Sequence, residues 1–578
     1  MALGKRSLTE GRLSRALCYH PPLETTAREV RWMRTRTLPL VLLLTASCQR
    51  PPPEYDVLIV HGTVIDGTGS PGTRADVGIT NGAIAAVGPL ENARAKVILE
   101  AEGRIVSPGF IDMMGGSSLP LIADPPSAES KLRQGITTMM AGEGGSLAPQ
   151  NDRTFEGVPR KELDARWTTF DEYFTLLESK GIALNVVHNV GAEQVRRIVL
   201  GDEDVAPTPS QLEEMKGLVE QAMKDGAVGL STSLIYPPGA YATTEEIVEL
   251  ARPAAAHGGV YFSHMRNESG ALLEAIDEAL RVGKDSGIPV HIYHLKAAGQ
   301  ENWPLMETAL VRIREARATG MEVTADIYPY IRNGIGLGSF LHPRHYARGE
   351  QAFLDTLSDP KVRAELRKEV EETSDWENWY RHVGKDWANV LITEVGPATD
   401  PAVVGLSVKE AGKHMGKDAW DAFFDLVAAR GTGVCPQSMD EAQKHLAMKE
   451  PYVTFDNDTE PTNPKSVASA HPRGFGAFPR ILAKYVREEN VIPLPEAIRK
   501  LTSLPASILR LSDRGRIEAG FAADIVVFDP EEILDLATFT EPLSYSVGVD
   551  HLLVNGVAVI QDGALTDALP GRAIRHKR

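Results

Sequence analysis

The sequence predicts an α/β protein, a (β/α)8 TIM-like barrel accompanied by a small β-sandwich domain that both chain ends form together. In the middle of the chain, eight short apolar runs of strand character alternate with amphipathic helical segments. Both ends instead carry short alternating strands with hairpin turn signals at Asn81-Gly82 and Asn555-Gly556. The length of 578 residues suits this arrangement, because a barrel of about 250 residues or more counts as one domain.

The first 54 residues are predicted to contain an upstream extension, an export signal and a proline-rich tether. From Met33 the chain reads MRTRTLPLVLLLTASC, with a basic start, an apolar stretch too short to span a bilayer, and small residues before Cys48. A cysteine in this place resembles a bacterial lipoprotein cleavage site, although Thr45 stands where leucine is usual. We expect an exported protein, either periplasmic or attached to the membrane through a lipidated Cys48. A cytoplasmic protein with an apolar tail is the alternative.

Residues 55–107 and 515–565 are predicted to form the small β-domain. The front part reads YDVLIVHGTVIDG and ADVGITNGAIAAVG, and the back part reads GFAADIVVFDP and HLLVNGVAVIQDG. All four segments have the residue types and turns of short strands. Residues 108–514 are then the barrel, inserted between the two halves of this domain.

The eight predicted barrel strands follow one another along the chain as IVSPGFID, TTMMAGEGG, ALNVVHNVG, AVGLSTSL, GVYFSHMR, PVHIYHLK, EVTADIYPY and YVTFDND. Helical segments such as PSQLEEMKGLVEQAMKDG and SGALLEAIDEALRVGKDSG separate them, and each ends at a glycine, a usual helix stop. The interval of about residues 335–450 is too long for a loop and is predicted to be an insertion over one end of the barrel.

Polar residues at the ends of these runs are the candidate functional residues, because barrel chemistry sits at the carboxyl ends of the strands. His264 and His294 end neighbouring runs and could share a divalent ion, for which imidazole is a suitable ligand. Glu143 could add an oxygen ligand and leave a position for water. Asp458 could act as the base. Each residue has a plain alternative: a packed histidine, a loop carboxylate, or a turn at DND.

Composition excludes other classes of protein. The net charge of −17, from 61 basic and 78 acidic residues, argues against nucleic acid as a partner. Three scattered cysteines, Cys18, Cys48 and Cys435, are too few for a disulfide framework or a cysteine-based zinc cluster.

The phrases GTVIDGTG, VSPGFID, GEGGSLAP, STSLIYPPGAYAT, FSHMRNE, YHLKAAG, TADIYPY and HPRGFGAFPR occur in an order that resembles the N-acyl-D-amino acid deacylases (D-aminoacylases) of the amidohydrolase superfamily. The resemblance implies a metal-bearing barrel that hydrolyses a linear amide carrying a carboxylate. It implies that His264 and His294 are metal ligands and Asp458 an acid/base. The residues predicted to bind the substrate around its carboxylate are Lys296, Tyr328, Arg473 and Arg266.

Two departures from the family pattern affect the metal count. The family has a His-x-His pair after PGFID, where this chain has Met114 and Gly116. It also has GNCG where this chain has GEGG, which aligns Glu143 with the asparagine and Gly144 with the cysteine. We therefore expect one divalent ion, with zinc as the expected metal. The alternatives are a cyclic amidase of the dihydroorotase or hydantoinase kind, a dipeptidase, and a lipid-anchored binding protein built on a decayed barrel.

Overall fold

The structure is a computed structural model that describes residues 54–577, except residues 91, 159–162, 348, 374–375 and 468–469. The predicted export signal and Cys48 lie outside the described residues. In the described part of the chain, no helix is both long and apolar enough to cross a membrane.

Within the described residues, the strands form four sheets. They are, along the chain, β1 (Tyr55–Val64), β2 (Thr73–Thr80), β3 (Ala83–Gly88), β4 (Ala95–Glu100), β5 (Ile105–Pro108), β6 (Phe110–Asp112), β7 (Ile136–Ala141), β8 (Asn185–His188), β9 (Val190–Gly191), β10 (Gly229–Ser233), β11 (Val260–His264), β12 (Val290–Ile292), β13 (Val323–Ile327), β14 (Ile335–Gly336), β15 (Val390–Glu394), β16 (Gly433–Pro436), β17 (Val453–Phe455), β18 (Ile525–Phe528), β19 (Val549–Val554), β20 (Val557–Gln561) and β21 (Ala564–Leu565).

Strands from both ends of the chain form one nine-stranded sheet. Its order is β21-β20-β19-β18-β5-β1-β2-β3, and β4 pairs with β1. β18 lies antiparallel to β5, so backbone hydrogen bonds join the two chain ends. Ile59 and Val77 from the front and Ile525 and Leu553 from the back belong to one buried apolar cluster. This common core explains why two segments so distant in sequence fold together.

The central part of the chain is the predicted (β/α)8 barrel. β6, β7 and β8 run parallel in one sheet, and β9, β10, β11, β12, β13 and β17 run parallel in a second. Only Asn189 separates β8 from β9, so together they supply one of the eight strand positions. Beyond the ends of the outer strands β6 and β17, the Asn457 amide nitrogen donates to Asp112 Oδ1 at 3.1 Å.

The run IVSPGFID, predicted as a single barrel strand, is divided between two sheets. β5 pairs with β1 and β18 in the nine-stranded sheet, and only β6 belongs to the barrel. The chain crosses between them at Gly109, where an added Cβ would lie 2.2 Å from Thr137 Cγ2. Such close approach to β7 requires glycine at this position.

Of the helices, α6 and α8 end at Gly226 and Gly287 in the left-handed conformation, as their sequences predict. The helices are α1 (Pro120–Ala123), α2 (Glu129–Leu132), α3 (Asp152–Glu156), α4 (Phe170–Lys180), α5 (Ala192–Val199), α6 (Pro209–Asp225), α7 (Thr244–Ala256), α8 (Leu272–Ser286), α9 (Leu305–Ala318), α10 (Glu350–Leu354), α11 (Pro360–Glu372), α12 (Trp379–His382), α13 (Val408–His414), α14 (Ala419–Ala428), α15 (Glu441–Lys449), α16 (Arg473–Arg480), α17 (Leu494–Leu501) and α18 (Ser503–Ile508), with a π-helix at Ile481–Glu488.

The long segment between β13 and β17 forms the insertion. β14, β16 and β15 make a three-stranded antiparallel sheet, and α10 to α14 pack around it. Trp379, Trp387, Trp420 and Phe423 belong to its apolar core, which is separate from the main barrel cluster. The insertion is therefore held by its own core and contributes an independent wall beside the barrel.

Candidate active site and metal centre

Four predicted side chains come together at the carboxyl ends of the barrel strands. Glu143 follows β7, His264 ends β11, His294 follows β12 and Asp458 follows β17. All four line one small cavity of about 40 Å³. The barrel topology brings them together because these strand ends converge on one mouth.

The backbone turns sharply at two of these positions. His294 has a φ of 35° and Asp458 a φ of 46°, in the left-handed region that few non-glycine residues adopt. The His294 amide donates to Asp326 Oδ1, and Asp326 Oδ2 lies 3.0 Å from His291 Nε2. Asp326, buried in β13, thus holds the turn that directs the His294 ring into the cavity. Strained backbone of this kind concentrates at functional sites.

Glu143, His264 and His294 form a group that fits a divalent metal ion. Glu143 Oε1 lies 2.6 Å from His264 Nδ1 and 3.5 Å from His294 Nε2. One ligand atom from each residue can be chosen so that all three lie within 4.8 Å of one another. Two imidazoles and one carboxylate are a donor set that zinc accepts, and three protein ligands leave a coordination position open.

Glu268, which no sequence motif marks as a candidate, contacts two residues of this site. Its Oε1 atom lies 2.9 Å from His294 Nδ1 and 2.5 Å from Lys296 Nζ. When Nδ1 donates its proton to Glu268, the Nε2 lone pair of His294 faces Glu143 and is free to bind a metal. The signal for Glu268 was present in FSHMRNE, four residues after His264, but nothing there distinguishes it from a surface glutamate.

Burial and neighbouring charges shift the protonation of these groups. Burial alone would raise the pKa of Glu143, but hydrogen bonds from His264 and His294 hold it below the usual range. Burial and Lys296 lower the pKa of His294, yet Glu268 and Asp458 outweigh them and raise it to about 9. Burial raises the pKa of Asp458 even though the Arg473 guanidinium opposes the shift. The cavity is thus a buried, strongly polar environment in which charges interact at close range.

The predicted substrate-binding residues lie in different places. Lys296 and Tyr328 line the small cavity, and the Tyr328 hydroxyl is buried with no hydrogen-bond partner in the described part of the chain. Arg473 lies against the Tyr328 ring and donates to Asp458 Oδ2 at 2.5 Å. Its guanidinium therefore contacts a residue of the small cavity, Asp458, without being one of the lining residues. Arg266 is not brought to this cavity. Its guanidinium pairs with Glu278 at 2.9 Å on the wall of a larger neighbouring cavity.

The larger cavity, about 980 Å³, lies between the barrel mouth and the insertion. Tyr236 and Trp379 line both cavities, so the two adjoin at these side chains. The volume is sufficient for a small organic molecule.

Met114 and Gly116, which replace the expected histidine pair, are enclosed. Met114 belongs to a buried apolar cluster and is 2% exposed. Gly116 has a φ of 66°, and an added Cβ would lie 2.7 Å from the Glu460 backbone nitrogen. The chain after Asp458 thus occupies the space that a side chain at position 116 would need.

A (β/α)8 barrel that presents two histidines, a neighbouring carboxylate and a buried acid at its mouth defines a metal-dependent hydrolase. Comparison with known families gives the particular group: the chain belongs to the amidohydrolase family, whose model matches residues 97–560.

Similar proteins extend over nearly the whole chain. The D-aminoacylase of Alcaligenes xylosoxydans xylosoxydans is 34% identical over 527 residues, covering 90% of this chain and 97% of that protein. The N-acyl-D-glutamate deacylase of Bordetella bronchiseptica, solved with zinc and a phosphonate mimic of the tetrahedral intermediate, is 31% identical with a TM-score of 0.76, covering 90% of this chain and 99% of that one. A D-aminoacylase structure described as showing one-metal activation and second-metal attenuation is also 31% identical, with a TM-score of 0.74 and coverage of 90% and 100%.

Proposed function

We propose that the protein hydrolyses the amide bond of N-acyl-D-amino acids, releasing a carboxylate and a free D-amino acid, with a single zinc ion. The observation that carries the proposal is the shared cavity: the three candidate ligands open onto the same space as Asp458, Lys296 and Tyr328. The D-aminoacylase and the N-acyl-D-glutamate deacylase described above support the substrate class.

Glu143, His264 and His294 would hold the ion. When bound, a divalent ion polarises a carbonyl group and makes water acidic enough to react near neutral pH. Support for one ion comes from Met114 and Gly116, which offer no metal-binding atom comparable to imidazole and are enclosed by apolar side chains and backbone. The D-aminoacylase is described as having a binuclear metal centre with one-metal activation and second-metal attenuation, so activity with a single ion is consistent with that protein.

Asp458 would accept and return the proton. Its carboxylate faces the cavity, and Arg473 fixes one oxygen through a charge-assisted hydrogen bond while the other can reach the reacting groups. Burial raises the pKa of Asp458, which favours a carboxyl that both takes a proton and delivers it to a leaving amine. Tyr328 Oη and Lys296 Nζ provide donors for the carboxylate of the substrate.

A panel of N-acetyl D- and L-amino acids, assayed for released amine together with the zinc content of the protein, tests the proposal. We expect one zinc per chain, turnover of D substrates, and loss of both in His264→Ala. A folded wild-type protein that binds no divalent metal, or one that prefers L substrates, would contradict it.

From residues 33–48 alone we also propose that the protein is exported and lipidated at Cys48. Cells fed labelled fatty acid should label the wild-type protein but not Cys48→Ser, and an unlabelled wild-type protein in the soluble fraction would contradict the lipid anchor.

A further inference from the structure

The larger cavity contains a buried acid that the proposed reaction does not use. Glu377, just before α12, lines this cavity and is 6% exposed. Its Oε1 atom accepts a hydrogen bond of 3.0 Å from the Glu268 amide, whereas Oε2 is buried and has no partner among the described residues. Leaving a buried carboxyl oxygen without a hydrogen-bond partner is costly, so Glu377 is a candidate for an interaction that the described residues do not supply.

The cations on the cavity wall are already neutralised. The three described arginines of the wall each form an ion pair, namely Arg266 with Glu278, Arg344 with Glu369, and Arg430 with Glu350. A carboxylate entering this cavity would therefore compete with existing partners. An exposed acid at the rim, Asp204, adds further negative charge.

Aromatic side chains line the same cavity as Glu377. Tyr236, Tyr346, Trp376 and Trp379 all line the cavity. Aromatic faces together with a carboxyl group are the chemistry that binds an organic ammonium ion. Two neutral donors on the wall, Trp376 Nε1 and the Tyr241 hydroxyl, also lack partners within the described residues. Because these donors are neutral, they do not indicate whether the ligand carries a charge.

We propose that this cavity selects substrates that carry an ammonium group beyond the scissile amide, and that Glu377 recognises that group. The inference rests on the proposed function and names its substrate class. The ammonium could belong to the side chain of the D-amino acid or to the acyl group, because either end of an N-acyl amino acid could extend from the small cavity past Trp379. Burial and the nearby Glu268 carboxylate raise the pKa of Glu377 to about 8, and a bound cation would favour its ionised form.

Isosteric substrate pairs test the proposal in the zinc-loaded full-length enzyme. N-acetyl-D-lysine against N-acetyl-D-2-aminoheptanoic acid examines the amino-acid side chain, and N-(4-aminobutanoyl)-D-leucine against N-pentanoyl-D-leucine examines the acyl group. We expect kcat/KM to favour the ammonium member of at least one pair by about tenfold or more. Glu377→Gln should reduce that ratio towards one, whereas Glu365→Gln, an exposed glutamate of α11 outside the cavity, should preserve it.

Equal kcat/KM values within both pairs would overturn the proposal. A preference for the ammonium member that survives in a folded Glu377→Gln protein would overturn it too. So would a higher kcat/KM with N-acetyl-D-glutamate than with the ammonium substrates. Calorimetric binding of D-lysine against D-2-aminoheptanoic acid separates this proposal from the proposed reaction. If no acylated substrate is turned over but D-lysine binds about tenfold more tightly in a Glu377-dependent way, the cavity assignment stands and the reaction is wrong. If N-acyl-D-amino acids are hydrolysed but neither substrate pair shows a preference for its ammonium member, the reaction stands and the cavity assignment is wrong.

Discussion

Restoring the missing histidine pair should damage the fold without adding a second ion. At Gly116 the φ of 66° costs a non-glycine residue about 1–2 kcal/mol. An added Cβ would also lie 2.7 Å from the Glu460 nitrogen and 3.0 Å from its Cα, and overpacking against such rigid neighbours costs about 1–3 kcal/mol. We therefore expect the Met114→His, Gly116→His protein to lose at least about 2–5 kcal/mol of unfolding free energy.

Denaturant unfolding of single alanine variants separates the two contributions. Gly103 has a similar φ of 74° but open space where its Cβ would be, so Gly103→Ala measures the backbone cost alone. Gly116→Ala should be less stable than Gly103→Ala by the overpacking contribution. Metal analysis of the double histidine variant should still give one ion per chain. Equal stability of the two alanine variants, or two ions bound by a double variant as stable as the wild type, would refute this reasoning.

Three further perturbations are predicted from the structure. Asp458→Asn should retain the metal while turnover falls about 10²–10⁴-fold, and an unchanged rate would remove Asp458 from proton transfer. Lys131→Met should destabilise the fold by about 3–5 kcal/mol in chemical unfolding, because the buried Lys131 ammonium pairs with Asp112 at 2.9 Å; a neutral effect would contradict that pairing. Burial lowers the pKa of His188 to about 3. The unfolded chain takes up this proton first, near pH 6.5, so stability falls by about 1.4 kcal/mol per pH unit between about 6.5 and 3. His188→Gln should flatten that acid dependence of unfolding, and an unchanged slope would count against it.

Strand order was predictable from the sequence, because short apolar runs alternate along the chain with amphipathic helical segments. The division of IVSPGFID between two sheets was not predictable. Residues of both β5 and β6 are completely buried, so no alternation of apolar and polar residues marks the point where the chain leaves one sheet and enters the other. Only Gly109 hints at the crossing, and the reason for it, Thr137 of the next strand, is distant in sequence.

Candidate site residues were predictable where they occupy strand ends, and less so elsewhere. Glu143, His264, His294 and Asp458 could be found because strand ends in a barrel meet. Arg266 lies only two residues beyond His264, but whether its side chain turns to the cavity or to Glu278 depends on the packing of α8. A single sequence does not specify such a choice between partners.

The division of roles between barrel and insertion follows from how each is held. The candidate ligands and Asp458 lie at the ends of hydrogen-bonded strands, and rigid placement of this kind is what precise chemistry requires. Glu377 precedes α12, whose Trp379 packs into the separate core of the insertion. A change in that core would therefore act first on Glu377 and the wall of the larger cavity, and would reach His294 through the hydrogen bond from the Glu268 amide to Glu377. Under the proposed assignment, the insertion selects the substrate and the barrel strand ends carry out hydrolysis of the amide.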